Sequence, residues 1–273
     1  MQSYDAVLAD MVAIAREAGA LTLGYFKRFR DLEIGIKGPA DFVSEADMES
    51  EKLIRKFLFE RYPNWSFTGE EFAPVTGTDP EYRWLVDPID GTTNFINGMH
   101  YTISIALRRG NETVCGALYN PVSDEMFTAI KGEGAFMNGE PLKVSEQSDI
   151  GLMNVGTGLA TSRLFTFPGF YQRLEQIRDP ISSVRIVGSS ANSCAYVALG
   201  RLTGYYEESG LVDWAVGVLL VQEAGGVVTD WWGRGPEFYE KTGCVIVANK
   251  ATHAYLIDKL KDAPRKDPAI ASR

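Results

Sequence analysis

The stretch that most constrains this chain is Trp84-Leu85-Val86-Asp87-Pro88-Ile89-Asp90-Gly91-Thr92-Thr93-Asn94-Phe95. Its apolar start predicts a buried strand running into Asp87, and Pro88, which has no N–H for a ladder, is expected to end that strand. Asp90-Gly91 then turns the chain, with Thr92 and Thr93 placed to cap a short helix. Two carboxylates thus meet at one strand end, beside Gly91 and Thr92 N–H groups that a helix start leaves without intrahelical partners. Such a bend can hold hard cations and a phosphate oxygen together. It can equally be a plain hairpin, because Asp-Gly is a common two-residue turn.

Acids recur at comparable places elsewhere. Trp65-Ser66-Phe67 alternates like a strand and delivers Gly69-Glu70-Glu71 to its end. Ser44 followed by Asp47 signals a helix start, continued at helical period to Tyr62 and stopped by Pro63; a structural cap also explains Asp47. A strand over 184–187 leads into Gly188-Ser189-Ser190 and then into helical spacing. Those serines read either as an ordinary cap or as contacts to substrate hydroxyls. Asp213 opens a helix that is apolar nearly all round and ends at Gly225-Gly226. An acid at the mouth of a buried helix must be capped, paired or bound to metal. Glu70, Asp87, Asp90 and Asp213 offer only oxygen, and His100 and His253 are the chain's two imidazoles, so the donor set selects Mg2+ or Mn2+ over zinc.

The net charge of −9 argues against a nucleic-acid partner or an anionic membrane, whose phosphates call for clustered Lys and Arg. Cations held by site carboxylates would reconcile that charge with an anionic substrate. No apolar run of 18 residues and no basic-then-apolar start occur, so a cytoplasmic protein is expected. Cys115, Cys194 and Cys244 fit reduced buried thiols. A Walker loop and a G-x-S-x-G elbow are both absent.

For the rest, the pattern predicts an amphipathic helix over 4–29, a short strand over 32–36 and an exposed loop over 37–43 containing Lys37. Strands follow over 102–108, 114–119, 125–129 and 135–137 as an antiparallel meander, with Asn138-Gly139 as a hairpin turn. Residues 159–176 read as irregular before a helix, 244–247 as a strand and 253–260 as a helix, and 264–273 as a loose tail. At 273 residues the chain forms one domain, with a division into lobes near 1–150 and 151–265.

The run Asp87-Pro88-Ile89-Asp90-Gly91-Thr92 resembles the D-P-(I/L)-D-G-(S/T) signature of the inositol monophosphatase family of magnesium-dependent, lithium-sensitive phosphomonoesterases. Gly69-Glu70-Glu71, Gly188-Ser189-Ser190 and the helix from Asp213 to Gly225-Gly226 follow the family's order, so the resemblance spans nearly the whole chain. It implies an α+β fold, a layered αβαβα sandwich of the inositol monophosphatase and fructose-1,6-bisphosphatase type with mostly antiparallel sheets. It implies hydrolysis of a small phosphate monoester, inositol monophosphate foremost, by two-metal activation of water; histidinol phosphate, fructose 1,6-bisphosphate or a 3'-phosphonucleotide are the alternatives within the wider group. A regulatory, protein-binding role is the reading from outside it. The resemblance assigns Glu70, Asp87 and the Ile89 carbonyl to a first ion and Asp87, Asp90 and Asp213 to a second. Asp47 with Thr92 would orient the attacking water, the Gly91 and Thr92 N–H groups would hold phosphate, Glu71 would stand behind the ligands, and Lys37 would reach the metal site. A homodimer is also implied. One departure stands out. The family reads Trp-Asp at the last ligand with a substrate-binding Glu seven residues earlier, whereas here Val212-Asp213-Trp214 follows Glu207 and Glu208 by six and five residues. That predicts a shortened polyol-reading loop and a relaxed choice of substrate.

Overall fold

A computed structural model describes residues 3–32, 34–38, 41–158 and 170–262, with side chains 37, 38, 41 and 42 excluded. Of the irregular stretch expected over 159–176, residues 159–169 lie outside the described residues, as do the tail over 264–273 and the Lys37 side chain, while 170–176 are helical.

Helices α1 (Asp5–Phe26) and α2 (Glu45–Arg61) form the first layer. Between them, β1 (Ile34–Gly38) and β2 (Asp41–Ser44) pair antiparallel; β1 overlaps the strand expected over 32–36, whereas β2 falls where the sequence predicted a loop over 37–43. Backbone pairing between the two strands outweighs the breaker-rich composition. The second layer is a seven-stranded sheet in the order β3 to β9: β3 (Trp65–Gly69), β4 (Asp79–Asp90), β5 (Thr102–Arg109), β6 (Glu112–Asn120), β7 (Glu125–Ile130), β8 (Gly134–Met137) and β9 (Glu140–Pro141). Its pairs are antiparallel except β3 with β4. Asn138 and Gly139 both take positive φ, 49° and 87°, as the two-residue turn between β8 and β9 requires.

The third layer is helical: α5 (Ser190–Ala198) and α6 (Leu211–Glu223), numbered after a five-residue α3 (Thr92–Ile96) and α4 (Phe170–Arg178). A mixed five-stranded sheet comes fourth, ordered β11 (Ser183–Ile186), β10 (Asn154–Thr157), β12 (Gly204–Glu208), β14 (Cys244–Ala248), β13 (Val227–Thr229). Helices α4 and α8 (Lys250–Leu260) cover its outer face, and α7 (Pro236–Thr242) precedes β14. The result is the expected αβαβα sandwich.

Strand periodicity sorts the core into these layers. On β5, Ile103, Ile105 and Leu107 pack with Met11, Ile14, Ile54 and Leu58 of the first layer, while Ala106 faces α5 and α6. On β14, Val245 and Val247 face the same middle helices and Cys244, Ile246 and Ala248 face outward. The middle layer is pinched. A β-carbon on Gly217 of α6 would lie 2.3 Å from Cys194 Cβ of α5, so the two helices approach as closely as glycine permits. All three cysteines are free and buried.

Two sequence expectations need correction. Strand β4 does not stop at Pro88 but continues to Asp90, because the missing N–H falls in a β-bulge: Asp87 opposes Ser104 and Asp90 opposes Thr102. Glu207 and Glu208 lie not in a loop but on β12, paired with Val245 and Cys244. Only Ser209 and Gly210 separate them from α6.

The pinch yields a stability prediction. Gly217→Val should lower unfolding free energy by about 1–3 kcal/mol through overpacking against Cys194, read as a lower midpoint with an unchanged slope in urea denaturation.

Candidate active site

The bulge does the first work of assembly. In a regular strand residues three apart point to opposite faces; the one extra residue between Asp87 and Asp90 returns both to the same face, the one shared by their partners Ser104 and Thr102. That face looks into the helical middle layer, and both acids are buried, at 2% and 7% exposure. Asp87 Oδ1 accepts the Ile89 N–H at 3.0 Å, which tightens the bend.

Asp90 receives the N-terminus of α5. The Ser189 hydroxyl donates to it, as do the Ala191 N–H at 2.9 Å and the Ser190 N–H at 3.3 Å, with Thr102 Oγ1 at 3.3 Å. The Ser189-Ser190 pair is therefore both a cap, through Asn192 N–H to Ser189 Oγ at 3.2 Å, and a clamp on Asp90. Asp213 is not the first residue of α6 but its third, its carboxylate reaching back to accept the N-cap Gly210 N–H at 2.8 Å. Trp214, the residue out of family order, is buried edge-on to Tyr239 of α7, with centroids 5.4 Å apart. Glu70 follows β3, whose last residue Gly69 pairs with Val86 beside Asp87.

Charge shows how these acids meet. Burial first, then Glu70, Asp90 and Asp213, hold the Asp87 carboxyl well above the carboxylate range, and Glu70 lies within hydrogen-bonding reach of it. Burial pushes Asp90 up to about 6; the Ser189 hydroxyl pulls against this, Asp213 adds to it, and the Ala191 and Ser190 N–H groups pull back. Among the described residues no three His, Cys, Asp or Glu side chains stand close enough together to hold a metal ion as they are placed. The acids converge as mutually repelling charges.

On the first layer's side, Asp47 Oδ2 accepts the Ser44 N–H and hydroxyl at 2.8 and 2.6 Å, completing a capping box at the start of α2. Its other oxygen accepts the Thr92 hydroxyl at 3.1 Å, so cap and site contact are one residue. The sequence placed Thr92 and Thr93 as caps of α3; instead Gly91 is the N-cap, at φ 97°, because the sharp turn out of the bulge demands a left-handed residue. Thr92 is then the first helical residue, its hydroxyl also 3.2 Å from Ile89 O. The first bond back in α3 is Phe95 N–H to Gly91 O at 2.9 Å, which leaves the first-turn N–H groups pointing outward.

Glu207 sits on β12 with its side chain among Tyr205 and Ser190, whose hydroxyls both donate to it. Burial pushes it up to about 7, the hydroxyls of Ser190 and Tyr205 oppose this, and Asp213 and Asp90 add to it. Glu208 alternates to the other face, where its charge is felt by Arg173 of α4 and by Cys244. Glu207 is therefore the acid of the pair that faces the cluster.

Two residues escaped the sequence reading. Asn94 Nδ2 donates to Val187 O at 2.8 Å and His100 O at 2.9 Å, joining the two motif turns; Gly188, at φ 78°, lies against it so closely that a β-carbon would meet Asn94 Oδ1 at 2.6 Å. Glu51 is fully buried and accepts N–H groups from the turn carrying Glu70. Its signal was an acid on the buried α2 face that also holds Ile54 and Leu58. Asn94 left no comparable signal.

Fold and acid cluster together define a layered phosphatase. The sequence model of the Inositol monophosphatase family matches residues 3–265. Similar relatives include an Inositol-1-monophosphatase of Rhizobium meliloti, 38% identical over 90% of this chain and 92% of its own, and a Nus factor SuhB of Escherichia coli K12, 35% identical over 93% and 97%. Among solved structures, an extragenic suppressor protein suhB of Bartonella henselae superposes with TM-score 0.89 at 36% identity over 94% of this chain and 99% of that one. An inositol monophosphatase from Anabaena superposes with TM-score 0.85 at 30% identity, over 97% and 98%. The chain belongs to the inositol monophosphatase family, a family of metal-dependent phosphatases.

The buried acids predict a pH effect in the metal-free protein. The folded pKa of Glu207 exceeds its unfolded value of 4.5, so the folded state binds the extra proton and stability falls as pH rises through about 4.5 to 7. Glu207→Gln removes that titration. The wild type should lose on the order of 3 kcal/mol relative to it across the window, measured by urea unfolding in chelator at a series of pH values.

Proposed function

We propose that this protein hydrolyses a small phosphate monoester, inositol monophosphate foremost, with divalent cations bound at the acid cluster. The observation that carries this is the convergence of Glu70, Asp90 and Asp213 on Asp87, beside the Asp47–Thr92 pair. The donors fit the cation: all are hard oxygens, and their mutual repulsion around a buried Asp87 is what a divalent charge would relieve. Glu70, Asp87 and the Ile89 carbonyl would hold one ion, and Asp87, Asp90 and Asp213 a second, with Mg2+ preferred and Mn2+ accepted. When bound, the ions neutralise phosphate charge and ease deprotonation of water.

The chain's own groups do the rest. By donating to Asp47, the Thr92 hydroxyl turns its lone pairs outward, where they accept a hydrogen of the attacking water. Gly91 and Thr92 N–H groups at the start of α3 hold the phosphate. Water oxygen bonds to phosphorus as the ester oxygen leaves with the bond pair. The Thr92–Asp47 pair takes the water's proton, and the leaving alkoxide takes one from solvent. The hydroxyls of Ser189 and Ser190 are engaged with Asp90 and Glu207, so in this reading Gly188-Ser189-Ser190 shapes the substrate wall through those acids. Glu207 is the acid placed to read substrate hydroxyls. With only Ser209 and Gly210 leading to α6, we expect it to tolerate several small esters. Lithium inhibition, a homodimer and a cytoplasmic location complete the reading; among the described residues no helix is long and apolar enough to cross a membrane.

Some relatives carry the name Nus factor SuhB rather than that of a phosphatase, which keeps a second reading in view, a regulatory, protein-binding role. A phosphate-release assay with inositol 1-phosphate, histidinol phosphate, fructose 1,6-bisphosphate and a 3'-phosphonucleotide separates the readings. Activity should vanish in chelator and return with Mg2+, and Asp90→Asn should lower turnover by more than about 100-fold in a folded protein. A folded Asp90→Asn variant with normal turnover overturns the two-ion site, and wild-type inactivity on every ester favours the protein-binding role. Glu207→Ala should raise KM with little change in kcat, whereas Glu208→Ala should leave KM alone and lower stability.

A further inference from the structure

Helix α2 delivers more than Asp47. One turn further along the same buried face, Glu51 is fully buried and its carboxylate lies under the turn that follows β3. Oε2 accepts the Glu71 N–H at 2.7 Å and Oε1 the Phe72 N–H at 3.3 Å. A β-carbon on Gly69 would stand 2.1 Å from Oε1, so the turn is drawn onto this carboxylate as closely as glycine permits. Another turn along α2, Arg55 Nη1 reaches Ala73 O at 3.5 Å.

The Glu71 N–H belongs to the peptide plane that follows the Glu70 Cα. Fixing it fixes the backbone rotation on one side of Glu70, and hence the direction in which that side chain leaves the turn. Glu70 is the most exposed of the four cluster acids and lies on a turn rather than within a helix or strand. The turn is closed at its base by Phe67 and Val75, which exchange N–H to carbonyl bonds of 2.9 and 2.8 Å, and Glu51 acts between those ends. A buried carboxylate that takes two N–H groups supplies the constraint, at a desolvation cost of several kcal/mol that an apolar residue beside Ile54 and Leu58 would not incur.

We infer that Glu51 is a positioning residue: by holding the turn it aims the Glu70 carboxylate at Asp87 and so sets the affinity of the cluster for its divalent cation. The inference rests on the proposed cation-binding role of that cluster, and the experiment below tests the two apart.

Mn2+ binding to the purified metal-free protein is measured by electron paramagnetic resonance, alongside thermal unfolding, for wild type, Glu70→Ala, Glu51→Gln, Glu51→Ala and Gly69→Ala. Glu51→Gln keeps length and one acceptor but turns an NH2 toward the other N–H. Gly69→Ala leaves Glu51 chemically intact and displaces its carboxylate. Both should weaken Mn2+ binding by about 10-fold, and Glu51→Ala by up to about 100-fold, with kcat recovering at saturating Mg2+. If Glu70→Ala weakens binding while Glu51→Gln and Gly69→Ala bind Mn2+ like wild type, Glu51 does not position the ligand, whatever happens to thermal stability. If Glu70→Ala itself binds like wild type, the cation reading of the cluster fails and takes this inference with it.

Discussion

Two carboxyl groups held together out of water, Asp87 and Asp90, are the constraint on which this structure depends. Asp87 and Asp90 share one buried strand end with Asp213 and Glu70 close enough to raise the Asp87 carboxyl, and each burial carries a desolvation penalty of several kcal/mol. The fold meets part of that penalty with backbone. Asp90 takes N–H groups from the start of α5, and Asp213 takes the Gly210 N–H at the start of α6, where a helix dipole favours negative charge by up to about 2 kcal/mol. What the N–H groups leave over is an uncompensated repulsion centred on Asp87.

The same demand explains the middle layer. For two helices to point their N-termini at one strand end they must run side by side between two sheets, and Gly217 lets α6 close on Cys194 of α5. Both sheets then face apolar helix surface, so strands β5 and β14 alternate between two apolar layers rather than between core and solvent. The acids sit where that layer opens. Around them, Asn94 ties α3 to the turn before α5, and Glu51 ties α2 to the turn after β3. Side chains from separate layers thereby brace a single site.

Membership of a phosphatase family and the acid cluster agree on the chemistry, and the departure at Asp213-Trp214 is local. Trp214 is absorbed by the core against Tyr239, and Asp213 keeps its place by accepting the Gly210 N–H. Only Ser209 and Gly210 lie between β12 and α6, so Glu207 and Asp213 are held by adjoining elements.

Much of this was legible in the residue order. The meander from β5 to β8, the positive-φ turn at Asn138-Gly139, the buried helix α6 and the acids at strand ends follow from local rules of period, turn chemistry and burial. Those rules act between near neighbours in the chain, so they can be read from it. They misjudged Pro88, because whether a missing N–H ends a strand depends on what the partner strand offers, and here β5 accommodates a bulge. They missed the strand β12 and so could not say that Glu207 faces inward and Glu208 outward; pairing with β14 decided that. They were silent on Glu51 and Asn94, whose partners lie 20 and 93 residues away. The sequence by itself determined which residues could do the chemistry and that they sit at element ends. Only the tertiary structure decided that they meet, because a bulge, two helix N-termini and two buried braces act across contacts between layers that no local pattern encodes.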